Sequence, residues 1–311
     1  MRLSAPIEWL RSRQRRRALR PLRADMEAFF AQLRGTPVLF FANPGNAGDS
    51  LIAAATAQAF ARSRVEAAPI GLDAAVEGRI VVLGGGGNFI PLYHQIAEAI
   101  VRFSARKAAR IVLLPHTIRG QEAALRALAG NVTIFCRDRP SFEHVQALRP
   151  DIDARLGHDM AFHLDAAAFL ADAALAARAA PVWRATLAKH GLDETALGRP
   201  EGVRLRRLDA EAPVRAPTSD LDVSHVFTLG TGAREAPIAA WCLLKTIAAA
   251  RLVETDRLHV AIGAALLGTP CRFHDNSYGK NSAVYRQSLE GRFANIRPVG
   301  AEAAGPGGAF A

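Results

Sequence analysis

The stretch VETDRLHVAIGAALLG (253–268) decides the fold of this chain. A strand-like piece passes through a polar loop into a helix-like apolar run from Val260. Arg257 and His259 alternate with apolar residues at the junction. A strand end feeding a helix amino terminus suits an anion, because free backbone N–H groups, a guanidinium and an imidazole converge there. A second such crossover, NPGNAGDS (43–50), precedes another apolar helical run far away in sequence. Two anion-ready crossovers in two halves of one chain predict a two-domain enzyme with a cleft.

Working outward, the first half alternates strand, loop and helix. PVLFFA (37–42), RIVVLG (79–84), ARIVLLPHT (109–117) and NVTIFCRD (131–138) read as strands, with helices from about Leu51 to Phe60 and through 94–108. These runs are apolar without alternation, so both faces should be covered, as in a parallel sheet between helix layers. Residues 166–190 are alanine-rich and helical. VRLRRLDAE (203–211) reads as a short strand with a charged end, HVFTLG (225–230) as another, and 241–273 as helix, strand, helix, strand. The expected fold class is α/β with two Rossmann-like domains facing a cleft. A basic segment (1–36) precedes an N-terminal domain (37–175), a C-terminal domain (176–298) and a mobile tail (299–311). The division falls within 175–200, and a terminal helix around 280–295 packs back on the first domain.

The 311 residues suffice for two α/β domains. Cys136, Cys242 and Cys271 lie far apart without metal-ligand spacing, which speaks for a reducing compartment and against a disulfide framework. The start lacks an apolar signal core, and no charge-free run reaches the length of a bilayer span. The net charge of +10 owes much to the arginines between Arg11 and Arg23. That segment reads as a solvated helix face or as a dock for anionic lipid, with Trp9, Leu10, Leu19 and Leu22 supplying apolar content. Nucleic acid is disfavoured, since an aromatic stacking ladder, zinc spacing and glycine-rich RNA motifs are all missing from the sequence.

The strand ends carry the candidate site. In FANPGNAGDSLI (41–52), Gly45 and Gly48 permit close backbone approach, while Asp49 or Ser50 caps a helix starting at Leu51. The functional reading puts Asn46 and Asp49 against a substrate hydroxyl. Neither a Walker motif nor a dinucleotide fingerprint is present. GGGGNF (84–89) strips side chains from a strand end, with Asn88 offering an amide beside the opened space. His116 ends the next strand, open between a satisfied core histidine and a ligand group. Arg137 and Asp159 come from CRDRPSF (136–142) and GHDMAF (157–162), one arginine of the former pairing with Asp138 or Asp159. Arg206 and Arg207 should face opposite ways on a regular strand. Arg207, Arg257 and His259 together suit a small ligand carrying both carboxylate and phosphate, unless Arg257 is spent on Glu254 or Asp256.

In order and spacing, NPGNAGDSLI, GGGGNF, LPHT, CRDRPSF, GHDMAF, RRLDAE and TDRLHVAIGAALLGTP (255–270) resemble the polysaccharide pyruvyl transferase family, in its exopolysaccharide (succinoglycan-type) branch. The resemblance runs from about Phe40 to about Arg286. It implies a glycosyltransferase-B-type fold and transfer of the enolpyruvyl group of phosphoenolpyruvate to a hexose as a ketal, with release of phosphate. It assigns Arg207, Arg257 and His259 to the donor. The chain is short for the family, and its cationic start is outside the family pattern.

On this reading phosphoenolpyruvate lies on the second domain, His259 contacts phosphate and is the candidate acid, and Asp49 is the candidate base. No metal or redox cofactor is required, because arginines can neutralise the leaving phosphate. The acceptor is a lipid-linked oligosaccharide or polysaccharide met in the cytoplasm, with peripheral contact at the inner face of the cell membrane. The rival is a nucleotide-sugar-dependent glycosyltransferase of the same fold. It needs a flat slot for a nucleobase, and Phe273 and Tyr278 are the only aromatics between 253 and 281.

Overall fold

A computed structural model describes residues 5–212 and 218–300, with side chains from residue 13 onward. The expected tail at 299–311, like the side chains of Trp9 and Leu10, falls almost wholly outside the described residues. Seven strands form the first sheet: β1 (Pro37–Phe41), β2 (Glu66–Pro69), β3 (Ile80–Leu83), β4 (Gly86–Phe89), β5 (Arg110–Ile118), β6 (Val132–Cys136) and β7 (Asp153–Leu156). Their order is β2-β1-β3-β5-β6-β7, with β4 also paired to β5. The second sheet holds β8 (Val203–Arg204), β9 (Val253–Thr255), β10 (Cys271–Phe273) and β11 (Ile296–Pro298), in the order β11-β10-β9-β8. The pairings within both sheets are parallel, so each sheet collects its strand carboxyl ends on one edge.

The helices are α1 (Ala5–Gln32), α2 (Ala47–Ser63), α3 (Gln95–Ala105), α4 (Glu122–Arg126), α5 (Arg139–Leu148), α6 (Ala166–Ala171), α7 (Ala173–Lys189), α8 (Glu194–Leu197), α9 (Val223–Val226), α10 (Glu235–Ala249), α11 (Leu258–Leu267) and α12 (Lys280–Val284). They cover both faces of the first sheet, as its unalternating strands require. Val82, Val112 and Phe135 pack on one side, whereas Val81, Leu83, Ile111 and Ile134 pack on the other. The first of these cores runs on without a break through α2 and α10 to the second sheet, reaching Val253 and Phe273. At that junction Ser50 Oγ donates to Gly230 O at 3.0 Å.

Several elements differ from the sequence reading. HVFTLG is not a strand, because Asp222 accepts from His225 N and turns the chain into the short helix α9. Only Val203 and Arg204 of VRLRRLDAE pair as strand. Asp172 breaks 166–190 into two helices by accepting from Leu175 N at 2.9 Å. The helix α2 begins at Ala47 rather than Leu51, because Asn46 caps it. The terminal helix is α12 continued by a π turn, Tyr285–Leu289. It packs back on the first sheet's loops, with Ser288 Oγ 2.8 Å from His158 Nδ1, and just beyond it Phe293 stacks on Phe162 at 6.1 Å.

The basic start is corrected in one respect. Leu19 and Leu22 face the core with Met26, Phe29, Phe30 and Leu33, a helical stripe down one side of α1. Phe29 meets Phe135, and Phe30 meets Phe60, each edge-on at 5.0 Å. Each such burial stabilises by about 1.5–3 kcal/mol. These leucines are therefore unavailable to a lipid surface. Arg17 and Arg20 remain exposed, while Arg23 is drawn inward to donate to Phe162 O and Leu164 O.

Candidate active site

Loops at the carboxyl ends of both sheets meet around a cavity of about 250 Å³. From the first half, Asn46, Asp49, Asn88 and Arg137 line it; from the second, Arg207, Arg257 and His259 do. His116 and Asp159, the other two residues expected there, are fully buried behind this lining.

The β1 end turns through Asn43 and Pro44 into the amino terminus of α2. Asn46 Oδ1 accepts from Gly48 N at 2.8 Å, and Asp49 Oδ2 accepts from Asn46 N at 2.9 Å. This capping box satisfies helix-end N–H groups and points Asp49 at the cavity. Burial raises the Asp49 pKa, against the pull of His259. The rim glycines are required by close approach. A Cβ on Gly86 would lie 2.3 Å from Asn43 Nδ2, and one on Gly87 would lie 2.4 Å from Arg137 Nη2.

Behind this rim, Asn88 donates to Asn43 Oδ1 at 2.9 Å, and its Oδ1 is 3.0 Å from His116 Nε2. Burial, reinforced by Arg137, holds His116 well below the usual histidine range. A neutral His116 with its proton on Nε2 completes that chain, so it orients Asn88 from behind the lining. Arg137 is buried too, donating to Asp159 Oδ2 at 2.6 Å and to Thr117 Oγ1 at 2.9 Å. Burial opposes ionisation of Asp159, but His259 and Arg137 overcome it and hold the carboxyl below its usual range.

In the second half, Arg206 turns away to Glu254 while Arg207 turns inward, opposite directions that hold although the regular strand ends at Arg204. Arg207 Nε donates to Asp209 Oδ1 at 2.8 Å, and its Nη2 is 2.9 Å from Glu211 Oε1. Arg257 does not pair with Glu254 or Asp256. Its Nε donates to Asp222 Oδ1 at 3.0 Å, Nη2 to Asp222 Oδ2, and Nη1 is 2.8 Å from Asp209 Oδ2. Asp209 thus bridges the two arginines. His259 is the second residue of α11. Its Nε2 lies 3.4 Å from both Asp159 Oδ2 and Arg137 Nη1, and its Nδ1 lies where a Cβ on Gly48 would come within 2.3 Å.

Sequence reasoning missed Lys280, Tyr93 and the central part played by Glu211. Lys280 Nζ sits 2.5 Å from Glu211 Oε2, and Tyr93 OH donates to Glu211 Oε1 at 3.2 Å. The signal for Lys280 was its place at the start of α12, just past the loop that follows β10, a third strand end of the second sheet. Among the described residues, no group of three or more His, Cys, Asp or Glu side chains could hold a metal ion. Among them, too, no helix is long and apolar enough to cross a membrane.

Fold and site together define an α/β protein with an arginine-rich, carboxylate-braced anion cavity at the carboxyl ends of two parallel sheets. The sequence pattern of the polysaccharide pyruvyl transferase family matches residues 46–278, and the chain belongs to that family. It is accordingly an enzyme of the pyruvyl-transfer class that acts on polysaccharide. No curated protein matches the chain. Among solved structures, it is similar to a functionally uncharacterized protein from Klebsiella pneumoniae subsp. pneumoniae NTUH-K2044, at 26% identity and a TM-score of 0.70. That match covers 89% of this chain and 98% of the other.

Proposed function

We propose that the cavity binds phosphoenolpyruvate and transfers its enolpyruvyl carbon to two hydroxyls of one hexose in an exopolysaccharide repeat unit, forming a ketal and releasing phosphate. The carrying observation is that Arg207, Arg257 and Lys280, from three strand ends of the second sheet, share one cavity with Asp49 of the first. Forked guanidiniums suit carboxylate and phosphate oxygens, and they stabilise charge on the departing phosphate. In a glycosyltransferase-B-type arrangement, residues 176–298 then hold the donor and residues 37–175 the acceptor. Asn46 offers an amide N–H to the sugar, whereas Asn88, its amide hydrogens turned to Asn43 Oδ1 and Pro44 O, offers the remaining lone pair of its Oδ1. Asp49, its pKa raised above the usual carboxylate range by burial, takes the proton of the first attacking hydroxyl. His259 ties Arg137 and Asp159 to the donor side across the cavity. Protonation of the methylene carbon makes C2 electrophilic, the hydroxyls add in turn, and phosphate leaves.

The acceptor on this reading is carried on lipid at the inner face of the cell membrane. The exposed Arg17 and Arg20 on α1 give a salt-sensitive attraction to anionic headgroups. Arg15 lies against Gly268 at the far end of α11 from His259. A helix of that length puts the Arg15 contact roughly 15 Å from His259.

The test mixes purified protein, phosphoenolpyruvate and a panel of p-nitrophenyl hexosides and lipid-linked oligosaccharides. Phosphate release should require an acceptor, and one acceptor should gain the mass of pyruvate less water. Release independent of acceptor, or tighter binding of UDP or GDP than of phosphoenolpyruvate, would sink the proposal.

A further inference from the structure

We propose that Lys280 is a catalytic residue, whose ammonium delivers the proton to the methylene carbon of the enolpyruvyl donor. The proposal rests on reading the cavity as a phosphoenolpyruvate site, and it moves the acid from His259 to a residue on another loop.

Geometry carries it. Lys280 opens α12 behind Gly279, which stands at φ +77°, and its backbone N donates to Asn276 Oδ1 at 2.9 Å. The side chain is 8% exposed, and that small exposure opens on the cavity. Its stem crosses from the second half to the glycine rim of the first, where a Cβ on Gly87 would touch Cδ at 3.6 Å. Nζ therefore stands where donor and acceptor meet. Glu211 Oε2 orients it at 2.5 Å, and the same oxygen accepts from Tyr278 OH at 2.9 Å.

The other cavity groups are poorly placed to be the acid. Arginines do not release protons in proteins. His259 turns Nε2 to Asp159 and Arg137 and sets Nδ1 against Gly48. Tyr93 spends its hydroxyl on Glu211, and its pKa is pushed up to about 12 by burial and by Glu211 itself. Lys280 is different. Burial, with Arg207 and Arg137 beside it, brings the ammonium down to about 8 although Glu211 resists. The charged groups facing it are Glu211 and Arg207 after β8, Arg137 after β6 and Asp49 on α2, with Tyr278 on its own loop.

The step balances. The N–H bond of the ammonium breaks and a C–H bond forms with the π pair of the enol. The first hydroxyl adds to C2 and gives its proton to Asp49. The C2–O bond to phosphorus then breaks with its pair on phosphate, and the second hydroxyl closes the ketal. Of the two hydroxyl protons, one restores the Lys280 ammonium and so replaces the proton now on the methyl carbon. The other ends on phosphate.

The test uses the full chain, phosphoenolpyruvate and whichever p-nitrophenyl hexoside the wild type accepts. Lys280→Arg keeps the positive charge without a usable proton. It should bind phosphoenolpyruvate within about threefold of wild type by calorimetry, yet turn over roughly 10²–10⁴-fold more slowly, the range of a lost general acid. The wild type should lose rate as pH rises through about 8, where the Lys280 ammonium gives up its proton, and this fall should vanish in Lys280→Arg. Lys280→Ala should be revived at least about tenfold by added methylamine, since a free amine can then serve as acid. Turnover by Lys280→Arg within tenfold of wild type, loss of its phosphoenolpyruvate binding, or a Lys280→Ala protein that binds donor but ignores methylamine would each overturn the proposal. A wild type that neither binds phosphoenolpyruvate nor releases phosphate would instead sink the donor reading itself.

Discussion

Replacing Gly48 with alanine tests whether the two halves meet as described. The new Cβ would lie 2.3 Å from His259 Nδ1 and 2.9 Å from its Cγ. Unbonded heavy atoms rest at about 3.5 Å, so something must give by roughly 1 Å. The imidazole has little room to swing, with Nε2 at 3.4 Å from both Asp159 and Arg137. Its backbone is also held, because Val260 and Ala261 of α11 are fully buried. In an unobstructed helix the change would stabilise by about 1 kcal/mol. Overpacking here costs about 1–3 kcal/mol, so the expected net is a loss of up to about 2 kcal/mol. Function should suffer more, since a shift of about 1 Å in a reacting group can cost roughly 100-fold in rate. Gly130→Ala is the control, having nothing within 4 Å of its added Cβ. Urea unfolding reads stability, and acceptor-dependent phosphate release reads rate. If Gly48→Ala matched the control in both, the close contact between α2 and α11 would be refuted.

Other outcomes follow from named contacts. Arg257→Ala leaves buried Asp222 without its forked partner and should lose about 3–5 kcal/mol in urea unfolding. Arg257→Lys should fold but bind phosphoenolpyruvate at least about tenfold more weakly, for want of a fork; equal affinity by calorimetry would count against the assignment. Burial, with Arg23 and Arg62, pushes His163 down to about 3, and neither of its ring nitrogens is hydrogen-bonded. As pH falls below about 6.5, the unfolded chain takes up a proton that the folded chain refuses, so stability should drop by about 1.4 kcal/mol per pH unit until about 3. His163→Leu should flatten that slope between pH 6 and pH 4, roughly the upper part of the window, and an unchanged slope would exclude His163 as its source. The pair Arg17→Glu and Arg20→Glu should weaken low-salt sedimentation with phosphatidylglycerol vesicles, by roughly 1 kcal/mol per lost contact, and leave turnover on a soluble acceptor intact. Unaltered sedimentation would return α1 to a solvated face. Deleting residues 1–24 is the poorer experiment, since it removes Leu19 and Leu22 from the core.

What was legible in the sequence was whatever one residue type announces without help. The runs RIVVLG and ARIVLLPHT read as doubly covered strands because burial on both faces requires unbroken apolar residues, and β3 and β5 are buried so. The strand β2 was not legible, since Glu-Ala-Ala-Pro has little strand preference of its own; parallel pairing to β1 makes it a strand. The stripe Leu19, Leu22, Met26, Phe29, Phe30 and Leu33 has helical spacing, but the arginines among it drew the reading towards a surface segment. Of the nine residues expected at the site, seven line one cavity, because strand ends of parallel sheets must gather on one edge. His116 and Asp159 stand behind it, a distinction that depends on loop depth and leaves no mark in a motif.

The sequence shows the cations of this site more readily than the carboxylates that aim them. Arg137, Arg207, Arg257 and Lys280 meet Asp159, Asp209, Asp222 and Glu211 in short contacts, so the site is not a bare pool of positive charge. A buried guanidinium without a partner is costly, and each acid offsets that cost while occupying one edge of the fork. What remains for a ligand is direction. Asp209 takes Arg207 Nε on one oxygen at 2.8 Å and Arg257 Nη1 on the other at 2.8 Å, which sets the two arginines one carboxylate apart. A ligand that spans them must carry anionic groups at a matching separation. A single diffuse charge gains little there, because the carboxylates already balance it. For the proposed donor, which bears both carboxylate and phosphate, selectivity would come from preorganised guanidiniums rather than from net charge. The +10 of the whole chain, much of it on α1, therefore says little about the cavity.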